Sequence, residues 1–330
     1  MNDTEAGLLE RLSGEIQSFR GEFGELAAMM ESSWSLNKEQ ALLYSEEFLR
    51  SAFEYPGSSF DLAPAIYTAD RIEGFCAAFP RTVRLNGRNL RMAVVSFLTV
   101  APALRDAGRG LALWGNLMNR VQAAGFDGTL NFCVEGDGMH RMMPGMASLF
   151  GLNSEPVFRI EYMSRFLRPV TPEPEEAVSD SEIDLFLDLA GELEGDPPLS
   201  RTWTREEAIW QCRRRFGAVS LKACHESRRG MLSGYITGVT GPSASNVAIL
   251  EDVLWGDLTF AEQSQLLQRF LRLASSKGAR SISCPVLRYA SMEPLEAAGF
   301  RRSRRILHAW LTLLNDAEPA PLSSLYIDVF

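Results

Sequence analysis

Residues 94–120 read VVSFLTVAPALRDAGRGLALWGNLMNR. Residues 92–100 are almost wholly apolar, the pattern of a strand covered on both faces. Beyond Gly110, the residues Leu111, Trp114, Leu117, Met118 and Val121 recur at helical spacing, and Gly125 supplies a left-handed stop. Between strand and helix lies Arg105-Asp106-Ala107-Gly108-Arg109-Gly110. Glycines let successive backbone N–H groups converge without Cβ obstruction. A helix start adds unpaired donors and the positive end of the helix dipole. Strand, turn and helix together form a cradle suited to a pyrophosphate. The pattern is neither the dinucleotide G-x-G-x-x-G nor the Gly-Lys-Ser/Thr of a P-loop. A G-x-G alone reads equally as a connection that binds nothing.

Upstream of this unit, helical patterns run over residues 5–16, 23–34 and 37–55, with a short stretch near 17–20. Strands are expected at 63–68 and 74–79, and a hairpin over 82–90 turning at Asn86-Gly87. Downstream come a strand at 129–134, a helix over 138–150 interrupted by Pro144, and a strand at 158–166. Residues 171–181, TPEPEEAVSDS, lack large apolar side chains and read as a linker. The order of elements then repeats. Helices are expected at 183–193 and 205–215, and a hairpin of 218–225 with 230–239 turning at Arg228-Arg229. A strand follows at 247–254, a helix at 260–276, a strand at 281–285, a helix at 293–298 and a strand at 306–314. A repeat this long implies a duplicated domain, not a solenoid.

The chain has 330 residues, enough for two domains of about 150. No run approaches the ~18 apolar residues that span a bilayer, and the polar start lacks a signal-peptide pattern, so a cytoplasmic location is expected. Cys76, Cys133, Cys212, Cys224 and Cys284 are odd in number and singly spaced, which argues against a disulfide framework. His140, His225 and His308 are too dispersed to spell a metal site. A net charge of −9 disfavours non-specific nucleic-acid binding. Acidic residues dominate 169–200, and arginines gather at 213–215, 228–229 and 301–305. The simplest reading of this asymmetry is a solvated, self-compensating surface.

In its strand-turn-helix setting, residues 105–110 resemble the (Gln/Arg)-x-x-Gly-x-(Gly/Ala) acetyl-CoA signature of the GNAT acetyltransferases. The apolar strand, the Val-x-Pro and the following helix fit as well. The likeness spans residues 17–166 and recurs more weakly over 181–314, so the chain resembles a tandem GNAT. This implies an α/β fold with mixed sheets and two GNAT-like domains, at 1–168 and 182–316. A linker at 169–181 joins them, and a tail follows at 317–330.

By that resemblance, backbone N–H groups of Arg105, Asp106, Ala107, Gly108, Arg109 and Gly110 hold the CoA pyrophosphate. Leu98, Thr99 and Val100 hydrogen-bond the pantetheine arm and polarise the thioester carbonyl. The implied reaction is direct attack of a neutral amine on acetyl-CoA or another acyl-CoA, which calls for a base. Glu135, Asp137 and His140 are candidates, with Glu73 a further one; Glu135 and Asp137 read equally as turn residues beside Gly136 and Gly138. The family's proton-donating Tyr has no counterpart, because Ala147 stands at its place in MASLFGL, residues 146–152. Ser148, a shifted residue or water is left to substitute. The co-substrate is an acyl-CoA and no metal is expected. The acceptor is a small-molecule or peptide amine, with neither nucleic acid nor membrane as partner and a homodimer left open.

In the second repeat, Leu254-Trp255-Gly256-Asp257-Leu258-Thr259-Phe260-Ala261-Glu262 stands where the signature should. Its acids would repel a pyrophosphate, although Leu295-Glu296-Ala297-Ala298-Gly299-Phe300 looks like the family's later helix. This half is expected to shape the acceptor cleft or an interface, with Gly108→Glu abolishing activity and CoA binding and Gly256→Glu not doing so. Two other readings remain. One is a protein that binds CoA or a metabolite without turnover. The other is an acyltransferase whose carrier-protein donor docks at residues 301–305.

Overall fold

The computed structural model describes residues 15–34, 42–104, 108–171, 177–193, 196–225, 228–240, 245–314 and 319–329. The first repeat contains β1 (Ile16–Ser18), α1 (Phe23–Trp34), α2 (Glu46–Phe53), β2 (Pro64–Thr68), β3 (Arg71–Leu85), β4 (Arg88–Val100), α3 (Arg109–Ala123), β5 (Gly128–Val134), α4 (Gly138–Leu149) and β6 (Asn153–Phe166). The second contains α5 (Asp180–Glu192), β7 (Leu199–Arg201), α6 (Arg205–Ile209) running into a π turn (Trp210–Arg214), β8 (Ala218–His225), β9 (Arg228–Val239), β10 (Ser245–Leu254), α7 (Phe260–Ser276), β11 (Ala279–Val286), α8 (Glu293–Ala297) and β12 (Arg301–Leu313). A short β13 (Leu325–Tyr326) follows. No helix among the described residues is long and apolar enough to cross a membrane.

The strands form one mixed sheet in the order β1-β2-β3-β4-β5-β12-β6-β11-β10-β9-β8, with β7 against β3 and β13 against β7. The sheet therefore runs without a break through both repeats, and their closing strands are exchanged. β5 of the first repeat pairs with β12 of the second, and β11 of the second pairs with β6 of the first. The cores are exchanged with them. Trp310 of β12 packs into the core under α3 and α4, while Met163 of β6 packs into the core under α7 and α8.

Alternation along β4 explains its double burial. Ala93 and Val95 face α3, and Met92 and Val94 face the opposite core. On that opposite side α1 and α2 cover Phe75, Phe79 and Phe97, joined by Tyr235 of β9. α3 and α4 approach closely because Gly115 leaves room for Phe150, whose ring a Cβ at 115 would overlap.

Several boundaries differ from the sequence expectation. Of the helix expected at 37–55, residues 37–41 lie outside the described residues, and the described helix starts after its cap Ser45, whose side chain accepts the Phe48 N–H at 3.2 Å. Leu42 and Leu43, which mimic helical spacing, instead join the second repeat: Leu42 bridges to Val239, and the Leu43 N–H reaches the Gly238 carbonyl at 2.8 Å. β3 continues through Pro80, where among the described residues it pairs with β4 alone, an open edge that accepts proline. α4 likewise runs unbroken through Pro144. Arg228 and Arg229 belong to β9 and not to a turn. The expected helix at 5–16 lies almost wholly outside the described residues.

Candidate active site

β4 and β5 run parallel and pair only over Met92–Val95 against Gly128–Asn131. Beyond these pairs both strands continue apart, opening a wedge whose walls are residues 96–100 and 132–134. The cause lies on the other edge of β4. Ser96 pairs with Ala77 and Thr99 with Phe75, so Phe97 and Leu98 together stand opposite Cys76. This is a β-bulge, and Phe97 takes a positive φ of 65° to make it. Bulges bend a strand and re-aim its groups, here toward the gap. The Ala101 N–H, bonded to the Glu73 carbonyl at 2.8 Å, ties down the end of the strand.

Two buried side chains at the wedge keep polar atoms without partners: Thr99 through Oγ1 and Asn131 through Oδ1. Buried polar atoms are nearly always satisfied, so such orphans call for a partner from outside the chain. Asn131 closes the paired part of the wedge and lies outside the sequence-derived candidates; a lone Asn within an apolar strand was its only signal.

α3 begins at the mouth of the wedge. Its N-cap is Gly108, left-handed at φ 71°, and among the described residues no side chain caps the helix end. By contrast α2, α4, α6 and α7 are capped by Ser45, Asp137, Thr204 and Thr259. Among the described residues, the N–H groups of this first turn therefore lack a side-chain acceptor. Arg109 lies against the turn, pairing with Glu15 at 2.7 Å while its Nε is buried without a partner. Arg105, Asp106 and Ala107 lie outside the described residues.

Glu135, Asp137 and His140 come together at the turn from β5 into α4. The Asp137 carboxylate is engaged as the cap of α4, accepting the His140 N–H at 2.7 Å. His140 Nδ1 accepts the Gly136 N–H at 3.3 Å, and its ring stacks on His308 at 4.5 Å. His308 Nε2 lies 3.3 Å from Glu135 Oε1. His308 was missed as a site residue because it enters through the exchanged strand β12, 173 positions from Glu135. Ser148 stands apart, exposed on α4, whereas Ala147 is buried beside Met143 and Met146. Glu73 contributes its backbone carbonyl at the end of β4.

The second repeat builds the same wedge and fills it. β10 pairs with β11 only from Asn246 to Ile249, and β10 bulges between Leu250 and Asp252. There the Tyr289 hydroxyl accepts the Val253 N–H at 2.9 Å and donates to the Glu251 carbonyl at 3.1 Å. The following helix α7 is closed by a capping box of Thr259 and Glu262. A hydrogen bond from Arg228, then those from Thr259, hold the Glu262 carboxyl down at about 2, so it is fully ionised. Gly256→Glu is not a clean control for that expectation, because it perturbs the backbone. Gly256 is left-handed at φ 53°, and a Cβ there would overlap the Arg229 carbonyl. The variant should lose folded protein, read as a lowered melting transition; a wild-type melting curve would contradict this.

The sequence matches no family model and no curated protein. Solved structures do match. Saccharomyces cerevisiae N-myristoyltransferase with bound myristoyl-CoA superposes with a TM-score of 0.72 at 13% identity, over 92% of this chain and 80% of that one. A structure of the same enzyme with myristoyl-CoA and inhibitors gives 0.73, also at 13% identity, over 92% and 81%. The fold is that of the GNAT acyltransferases. The sequence resemblance assigned to an acyl-CoA the strand end Leu98 to Val100, which lies at the bulge of β4, and residues 105–110, of which Gly108 to Gly110 start α3.

Proposed function

We propose that this chain is an acyl-CoA-dependent N-acyltransferase working in the first wedge only. The observation that carries the reading is the bulged, splayed β4 leading to a helix that no side chain caps among the described residues, set against a second wedge that Tyr289 fills. The backbone of Leu98, Thr99 and Val100 would bind the pantetheine arm, and the bulge would present backbone donors to the thioester oxygen as charge develops there. The first turn of α3, with Gly108, Arg109 and Gly110, would hold the pyrophosphate, and residues 105–107 would complete the cradle.

An amine attacks the thioester carbonyl as the neutral base. Glu135 with His308 and His140 forms the acid–base candidate of this site, because the Asp137 carboxylate already caps α4. Ser148 faces away from the buried side of α4, so solvent is the simplest proton source for the departing thiolate. The domain division proposed for the chain is two fused GNAT-like units joined near residues 169–181, each completed by the other's last strand. The solved neighbours hold myristoyl-CoA; for this chain they support an acyl-CoA donor, with acetyl as one candidate acyl group among several.

The test is thiol release from a series of acyl-CoAs of increasing chain length, with a panel of amines. Release that requires both substrates supports an enzyme. Tight acyl-CoA binding without release from any pair supports the non-catalytic binder, the reading that Ala147 in place of a tyrosine favours.

A further inference from the structure

On the side of the sheet away from α3 and α4, an aromatic cluster adjoins the bulge of β4. The ring of Tyr44, just before α2, meets that of Phe97 edge-on at 5.3 Å. Tyr235 of β9 reaches the same cluster through Phe48, at 6.0 Å. The exchanged strands reach the same end of the wedge. In β12, Arg302 pairs with Met163 and Ile306 with Glu161, so Ser303, Arg304 and Arg305 bulge out opposite Tyr162 alone. The bulge begins where the Ile306 carbonyl accepts the Glu135 N–H at 2.9 Å, at the end of β5 and hence at the mouth of the wedge.

The charges fit one purpose. Tyr44 and Tyr162 both feel the Arg305 guanidinium, and Tyr235 feels both phenols. Burial pushes the Tyr44 hydroxyl up to about 12 and raises Tyr162 further, so both remain O–H donors at neutral pH. Neither hydroxyl has a hydrogen-bond partner among the described residues, and neither does the Arg305 guanidinium have an ion-pair partner there. Its neighbours are engaged: Arg302 pairs with Glu161, and Arg301 donates to the Phe300 carbonyl. Glu251, the carboxylate that reaches Tyr162 and Tyr235, is itself paired with Arg215. Two phenols and the exposed Arg305 guanidinium thus lie near the mouth of the wedge, where Glu161 and Glu251 are already paired with arginines and Glu135 faces His308.

We propose that Arg305, Tyr44 and Tyr162 hold an anionic group of the acceptor, so that the acceptor is an amino acid or a similar small amino carboxylate. The inference rests on the acyltransferase reading and specifies its acceptor. With the carboxylate held there, the amine would face the thioester carbonyl at the β4 bulge. The N–C bond forms, the C–S bond breaks, and the proton lost by nitrogen ends on the CoA thiol.

The test compares transfer from one acyl-CoA to amino acids and to their carboxamides. The wild type should prefer the free carboxylate in KM. Arg305→Gln should raise KM for the amino acid about 10- to 100-fold, bringing it level with the amide, while kcat for the amino acid holds. Arg305→Lys should recover part of the preference, and acyl-CoA affinity by calorimetry should not move in either variant. Equal use of amino acid and amide by the wild type overturns this inference and leaves the enzyme standing. So does a loss of acyl-CoA affinity in Arg305→Gln, which would assign the guanidinium to the CoA phosphates. No thiol release from any acceptor, with acyl-CoA still bound, overturns both.

Discussion

Replacing Gly110 by Glu should weaken acyl-CoA binding by at least about 100-fold while the melting temperature stays level or rises. Gly110 is the second residue of α3, and among the described residues a Cβ there would meet only Val100 Cγ2 at 3.7 Å, an ordinary contact. Exchanging a helical glycine for glutamate gains propensity, and a carboxylate in the first turn complements the helix dipole by about 0.3–1 kcal/mol. The same carboxylate would stand among the N–H groups offered to a pyrophosphate, where like charge repels. A hundredfold loss corresponds to about 2.7 kcal/mol. Stability and affinity are thus driven in opposite directions, which separates a ligand cradle from a merely structural turn. Gly108 is a less clean position, because its φ of 71° makes any substitution a backbone perturbation too. Unchanged calorimetric affinity in a folded Gly110→Glu protein would remove the cradle from the proposed site.

Asp328→Asn should cost about 3–5 kcal/mol of stability, seen as a large drop in the denaturant midpoint. Asp328 is buried just past β13 and accepts from Arg81 at 2.6 Å and from Arg201 at 2.5 Å. Arg81 lies over the Tyr55 ring at 3.8 Å and Arg201 over the Trp203 ring at 3.3 Å, so neither guanidinium can swing to water without breaking a packed layer. Tyr55 also donates to Glu207, joining α6 to the network. Removing the shared carboxylate leaves two buried cations with one formal partner fewer, the costly way to break a buried pair. Burial alone would raise the Asp328 carboxyl, but Arg201 and Arg81 outweigh it and hold it well below the usual carboxylate range. A depressed folded-state pKa stabilises fully above the unfolded value of about 3.9 and loses that benefit as pH falls toward the folded value. Wild-type stability should therefore fall below about pH 4, and Asp328→Asn should show a shallower acid limb. A variant with the wild-type midpoint would mean that the tail contributes nothing to the fold.

Much of this was legible because it is local. The strand, turn and helix of residues 94–120 carry their own alternation, helical spacing and glycines, and the second-repeat acids at Asp257 and Glu262 announced a helix start closed to anions. The hairpin at Asn86-Gly87 also appears as expected, with φ of 46° and 82°. What escaped is what depends on distant pairing. Leu42 and Leu43 looked helical because apolar spacing cannot say which partner buries a residue. His308 could not be joined to Glu135, nor Arg305 to Tyr44 and Tyr162, without knowing that β12 crosses into the first repeat. The Tyr289 plug was hidden for the same reason: it fills a gap that exists only once β10 and β11 diverge.

The exchange of closing strands also governs how the chain must fold as it is made. β5 has four residue pairs with β4, and its long partner on the other edge is β12, from Leu307 to Leu313. While the ribosome is still synthesising the second repeat, the first presents β5 and β6 as unpaired edges, open to mispairing. The β5 wall of its wedge gains its outer partner strand only after some 170 further residues have emerged, which makes contact order high and assembly late. The competent site should therefore appear in one step near the end of translation, and severing the chain between the repeats should yield two sticky fragments that regain shape only together.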